Sequence, residues 1–365
     1  MGAILVQPEP DILHQLMHRA SGCHAGVTVT SWEFHEARPD CAAHESCPLT
    51  APTVRRCCSA NQRSARARLQ GRLQSLVLVV AVLAGLTLQA GCSPRQLIVR
   101  SMADELAGQG ASPEDDLVLA RESAAFYLKL SESVLRQTPE HIALATGVAA
   151  GFTQYAYAFV ANEADRIEGR DAKAAQRLRL RAARLYLRAQ RHAMQALEAA
   201  QPGFAAALAS ADPARWPVVT PHQVGLAYWA AASWGGHISL SKDHPETVAD
   251  LPLAIRLASL AYRTEPGHGD GALASLMGSF EMARPGGSST QASLYFDRAI
   301  QAGAGLNAGA FVAKAEGLAQ PAGDRPAFEA LLRQALDAAD KRQDMANEVM
   351  RERARWLLDS ADELF

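Results

Sequence analysis

Apolar positions recur every three or four residues from Leu117 almost to the C-terminus, the period of helices that bury one face. Leu117, Leu119, Ala120, Ala124, Tyr127, Leu128 and Leu135 form the first such face, which ends at Thr138-Pro139. Pro139-Glu140 opens a second helix through Ile142, Leu144, Val148, Phe152, Tyr155 and Phe159. A third starts at Asp171 and aligns Leu178, Ala182, Tyr186, Ala189 and Ala193. A shorter helix over Leu97 to Leu106 precedes them and is broken by Gly108, Gly110 and Pro113. Residues 201–221 interrupt the rhythm with Pro202, Gly203, Pro213, Pro217 and Pro221, which predicts a loop. Trp216 lies within it, read as a plug packed on the domain in preference to an exposed partner contact.

A repeat emerges on top of this period. Ala182-x3-Tyr186-x2-Ala189 returns as Ala254-x3-Ala258-x2-Ala261, as Ala292-x3-Phe296-x2-Ala299 and as Phe328-x3-Leu332-x2-Ala335, at steps of 72, 38 and 36 residues. The first step has room for one enlarged unit holding the proline-rich loop. The pattern resembles the second helix of a tetratricopeptide (TPR) repeat, in which a large residue between small ones packs on the preceding helix. First helices are expected over Gly225–Leu240, Gly271–Met282 and Leu306–Leu318. Helix pairs of this length cannot bury their faces alone, so the fold class is all-α, with antiparallel pairs stacked as an α-solenoid.

The upstream part reads differently. Leu76 to Cys92 is a short, uncharged apolar run preceded by Arg55, Arg56, Arg63, Arg66, Arg68 and Arg72, the layout of an export signal. It falls short of the roughly 20 residues a spanning helix wants. Its end, Leu88-Gln89-Ala90-Gly91-Cys92, resembles a bacterial lipobox, with Gln89 where an aliphatic residue is usual. The resemblance implies lipidation of Cys92 and cleavage before it; an ordinary secretory signal and an uncleaved anchor are the alternatives. Residues 54–91 are thus expected to be a lipoprotein signal peptide and 92–365 the helical domain. Residues 1–53 show no lasting period and are expected to be a spurious or disordered leader. A zinc site from Cys41, His44, Cys47 and Cys57 or Cys58 is disfavoured, because Cys41-x5-Cys47 is not knuckle spacing.

Charge and chemistry narrow the function. The net charge of −2 over 365 residues gives no reason to expect nucleic acid as a partner. Five of the six cysteines precede Cys92, so the domain must hold together by burial without disulfides. Beyond residue 92 there is no His-Glu-x-x-His, no Gly-x-Ser-x-Gly and no phosphate-binding loop, so no catalytic, metal or cofactor residue is assigned and an enzyme is not expected. Arg177, Arg179, Arg181, Arg184, Arg188 and Arg191 read as a solvated helix face in preference to a strip for acidic groups.

Three blocks point to a family. They are Gly225 to Asp243 (GLAYWAAASWGGHISLSKD) with Val248-Ala249-Asp250-Leu251-Pro252, then Gly278 to Gly287 (GSFEMARPGG), and Arg351 to Leu358 (RERARWLL) with Asp362-Glu363-Leu364-Phe365. Together they resemble the T component of TPR-associated tripartite ATP-independent periplasmic (TRAP) transporters, the TatT family, over residues 92–365. The resemblance implies a periplasmic, lipid-anchored homotrimer without cofactors, each subunit with an apolar-lined cavity. It implies a partner, the solute-binding P subunit, and help in the uptake of organic, hydrophobic ligands. Tyr228, Trp229 and Trp234 are the candidate ligand contacts, since large rings among Gly225, Ala232, Gly235 and Gly236 leave pockets; ordinary core packing is the competing reading. Arg284, Pro285, Gly286 and Gly287 are the candidate partner loop, or only a turn between helices. Ser93 after the cysteine favours the outer membrane. The alternative function is a TPR-like scaffold lipoprotein in cell-envelope assembly.

Overall fold

The computed structural model describes residues 94–109 and 116–365, so Cys92, the signal segment and the leader lie outside the described residues. Helix α1 spans Pro94–Gln109 and α2 Leu117–Leu135. Helix α3 runs over Ile142–Tyr155, widens into a π-helical turn over Ala156–Ala161 and resumes over Asn162–Ile167. Then come α4 Ala172–Ala200, α5 Phe204–Ala209, α6 Val224–Ser239, α7 Pro245–Val248 and α8 Leu251–Thr264. The C-terminal part holds α9 Ala272–Ala283, α10 Ser289–Ala302, and α11 Ala308–Lys314 with a second π-helical turn over Ala315–Ala319. Helices α12 Arg325–Lys341, α13 Met345–Asp359 and α14 Ala361–Leu364 complete the chain. No strand occurs among the described residues.

Many starts are set by side chains. Asp116, Asp171, Asp324 and Asp344 each accept an N–H from the first turn of the helix that follows, satisfying donors the helix itself leaves open. Gly271 precedes α9 at φ +88°, and a Cβ there would collide with the Ala299 backbone, so only glycine fits.

Pairing follows the repeat. Helix α3 packs on α4, α6 on α8, α9 on α10 and α11 on α12, and each second helix also meets the first helix of the next pair. All twelve residues of the four repeated triplets are buried, although only Ala182-Tyr186-Ala189 and Ala292-Phe296-Ala299 are strictly small-large-small. The Tyr186 ring lies on Gly236 and the Phe296 ring on Gly278, where an added Cβ would come within 2.9 and 2.8 Å. Glycine in a first helix therefore makes room for a large residue of a second helix, that of its own pair at Gly278 and that of the preceding pair at Gly236. The all-α, solenoid-like stacking of helix pairs inferred from the sequence is the observed fold. Residues Ile98–Phe365 form one unit with its own core.

The loop expected over residues 201–221 contains a helix, α5. The Glu198 carboxylate, reaching forward from α4, accepts the N–H of Gly203 at 2.6 Å and of Ala205 at 2.9 Å and so starts it. Leu119, assigned to the buried face of α2, is 52% exposed. Its neighbour Ala120 takes the packed position, and adjacent residues on a helix cannot share a face.

Two charged groups fasten the ends of the stack. Glu132 of α2, nearly buried, binds Lys129 at 2.7 Å, Arg188 Nε at 2.5 Å and His192 at 2.8 Å. Burial opposes its charge, but the bonds from Arg188, Lys129 and His192 outweigh that and hold its pKa far below the usual carboxylate value. Arg353 of α13 donates to Asp165 at 2.9 Å and to Glu316 at 2.6 and 3.1 Å, and lies 4.6 Å from the Trp356 ring centroid. Burial would favour its loss of a proton; Glu316, Tyr157 and Asp165 reverse this and raise its pKa above the ordinary arginine value.

Two outcomes are expected. Arg353→Met leaves the buried Glu316 carboxylate without its cation, while Asp165, 31% exposed, keeps Arg179, and should cost about 3 kcal/mol in urea unfolding at pH 7. Glu132→Gln should cost roughly 1.5–3 kcal/mol at pH 7. Because the folded pKa of Glu132 is depressed, its contribution is fully present above the unfolded pKa and is lost as pH falls. The Glu132→Gln deficit should therefore shrink below about pH 4.

Candidate functional site

The segment after α5 is held along α8 by one arginine. Arg256 stacks 4.4 Å from the Trp216 ring centroid, and its Nη1 donates to the carbonyls of Leu208 and, at 2.9 Å, Ser210. The Trp216 indole N–H donates to the same Ser210 carbonyl at 2.9 Å. Thr264 at the end of α8 donates to the Val219 carbonyl at 2.9 Å. Trp216 thus packs on the domain, as a plug would, but one edge remains open.

Across from it stands the turn after α9. Pro285 stops the helix and keeps Arg284 extended, at φ −77° and ψ 144°. Gly286 takes φ +71°, and a Cβ on Gly287 would fall on the Glu281 carbonyl oxygen, so this turn needs both glycines. The Glu281 carboxylate closes it by accepting Arg284 Nε at 2.8 Å, Arg284 Nη2 at 2.7 Å and the Ser288 N–H at 2.9 Å. The Arg284 bonds, with the Ser288 N–H assisting, hold the Glu281 pKa below its usual value against the effect of burial.

Between the two lies a groove of about 510 Å³, within the usual range for binding clefts. Val248 and Ala249 from the end of α7, with Leu251, Pro252, Ile255 and Ser259 of α8, line it, flanked by Trp216 with Arg256 and by Arg284 with Pro285. Its lining is mostly apolar and suits noncovalent capture of an apolar segment or molecule. Among the described residues no three His, Cys, Asp or Glu side chains converge as a metal would require.

The groove brings together two of the sequence candidates, Arg284 and Pro285, while Gly286 and Gly287 shape the turn behind them. Tyr228, Trp229 and Trp234 do not line it. They are buried, at 1, 5 and 8% exposure, in α6. The Tyr228 ring meets Trp229 at 4.8 Å and His268 at 5.7 Å between centroids. Its hydroxyl is buried without a hydrogen-bond partner, and burial pushes its pKa up. Trp234 Nε1 donates to Asp250 at 3.3 Å, the residue just before Leu251. Sequence reasoning missed Ile255, Ser259 and Arg256 as site residues. Val248 to Pro252 stood in a noted block without a role, and Arg256 carried no local signal, since its partners lie more than 40 residues earlier.

A family model described as TRAP transporter T-component matches residues 113–365 of the chain. An uncharacterized protein of Treponema pallidum (strain Nichols) is 27% identical over 303 residues, covering 76% of this chain and 94% of that protein.

Gly287→Ala should cost about 1–3 kcal/mol in urea unfolding, because the turn must open to admit the methyl group. Gly169→Ala, with open space around its Cβ, should stay within about 0.5 kcal/mol of the parent.

Proposed function

The chain belongs to the TRAP transporter T-component family, and we propose that it is the periplasmic helper that docks the solute-binding P subunit of such a transporter. The family is transporter-associated, not enzymatic. Among the described residues no helix is long and apolar enough to cross a membrane. The proposed attachment is the lipid on Cys92, after removal of residues 54–91 as a signal peptide, with 92–365 as the working domain. Ser93 directs the mature chain to the outer membrane in this reading. Three copies assemble as a homotrimer, and the delivered ligand is an apolar organic molecule.

One observation carries the docking reading. The Arg284-Pro285 turn is not a bare connection: Glu281 rigidifies it, and it forms a wall of an open apolar groove opposite Trp216. A preformed groove with fixed walls loses little entropy when an apolar segment of a partner enters it. The ligand contact proposed is Tyr228 with Trp229 and Trp234, supported by the buried, unpartnered Tyr228 hydroxyl, which suits a polar group on an otherwise apolar solute.

Calorimetric titration of residues 93–365 with the P subunit from the same organism tests the docking. Binding should weaken at least tenfold, about 1.4 kcal/mol, in Val248→Asp, whose side chain is exposed enough to change without disturbing the core. Tight binding by the parent that survives Val248→Asp and Pro285→Ser would move the docking surface elsewhere. No binding by a folded parent, with envelope-assembly proteins recovered from extract in its place, would favour the scaffold reading.

A further inference from the structure

Eleven large apolar side chains are exposed among the described residues, and six of them lie on α1 and α2. The remaining five are dispersed from α4 to the C-terminus, so the apolar exposure is concentrated where the domain begins. Helix α1 is fixed to the core on one side: Ala103 and Leu106 are buried, the Tyr127 hydroxyl donates to the Leu106 carbonyl, and Asp104 meets His141 at 2.9 Å. Ile98 and Met102, four residues apart and 68 and 44% exposed, continue towards the N-terminus the stripe whose next residue, Leu106, is buried, so the apolar exposure of α1 is confined to its first half. On α2, Leu119 and Phe126 stand seven residues apart, again on one side, and Phe126 is 75% exposed. Leaving a phenylalanine in water forgoes the free energy of burying it, so such a face favours an apolar cover.

We propose that the exposed apolar residues of α1 and α2, Ile98, Met102, Leu119 and Phe126, rest on the surface of the lipid bilayer. This rests on the proposed anchor at Cys92. Covalent geometry does the rest. From Cys92 to Pro94 the backbone spans at most about 7 Å. Ile98 follows about 6 Å further along the helix at 1.5 Å per residue. An acyl chain on Cys92 therefore holds the first turns of α1 at the headgroup boundary, where an apolar helix face sinks about 5–10 Å. The charges within each helix cancel, Arg95 and Arg100 against Asp104 and Glu105 on α1, Arg121 and Lys129 against Glu122 and Glu132 on α2, and the connection between them adds only acids, Glu114, Asp115 and Asp116. Burial of apolar surface, not attraction to anionic lipid, supplies the contact, so it should tolerate salt.

The test uses residues 93–365, which retain the packed unit and contain no cysteine. Phe126→Cys carries a polarity-sensitive fluorophore, and an N-terminal hexahistidine tag tethers the protein to phosphatidylcholine vesicles containing a nickel-chelating lipid. Emission should rise severalfold and shift to the blue on tethering, persist in high salt, and be quenched by brominated acyl chains. A probe at Leu180→Cys on α4 should not respond. A probe at 126 that stays in water on tethered vesicles overturns the proposal. So does one that responds equally without vesicles as protein concentration rises, because the face then meets a second copy. The tether replaces the natural lipid, so this result is independent of whether Cys92 is acylated. That premise is read separately, by incorporation of labelled fatty acid into the full chain and its loss in Cys92→Ala.

Discussion

A buried guanidinium, set in a shared apolar core, holds the two ends of the solenoid together. Arg353 belongs to α13, the helix that covers the last pair, yet it binds Asp165 at the end of α3 as well as Glu316 of α11. A cation at 11% exposure is tolerated only where acids compensate it, so α13 has a narrow choice of positions. Tyr157 and Met350 meet beside this cluster, and Arg166 pairs with Glu352 at 2.9 Å on its exposed side. Both acids stand in or just after π-helical turns, where the extra residue per turn shifts the register and re-aims the side chains that follow. Glu316 uses one oxygen for Arg353; the other is buried without a partner, so the network is not fully satisfied.

With the ends fixed, the middle of the stack can carry an interruption. The long insertion between α4 and α6 adds no further pair; it folds back along α8 under the hold of Arg256 and Thr264. The Gly278-Phe296 contact sets how closely α9 approaches α10, and the Arg284 turn leaves α9 less than two turns later. The groove is the gap between an insertion pinned from one pair and a turn leaving the next. Its shape depends on how closely the helices pack, which is why a glycine deep in α9 matters to a surface it does not reach.

The parts of the fold legible in the sequence were those encoded locally. Small-large-small spacing, caps and proline breaks each act within a few residues, and they placed the pairs and most boundaries. Leu119 misled because hydrophobicity alone does not say whether protein is there to cover a residue. Helix α5 was missed because its start depends on Glu198, a side chain from another helix. The groove was half legible. Arg284, Pro285 and the two glycines announce a specific turn by their chemistry, whereas Arg256 looks like any helix-surface arginine until the insertion folds onto it. Tyr228, Trp229 and Trp234 were legible as large rings among small residues, but the sequence did not distinguish a lining from a core.

Burial separates two kinds of apolar surface that composition merges. The rings of α6 are enclosed, so any solute reaching them must enter through motion or a path between helices, and the partnerless Tyr228 hydroxyl marks where a polar group would be accommodated. The groove at α8 is open and walled by fixed turns, so it can meet a macromolecule without rearrangement. Assigning docking to the open surface and solute contact to the enclosed one follows from this difference in access. Arg353 fixes the frame of both surfaces: a solenoid free at its ends would bend, and bending would alter the spacing of first helices around the α6 rings. The cost of compensating one buried charge therefore constrains the proposed partner surface and the proposed solute contact together.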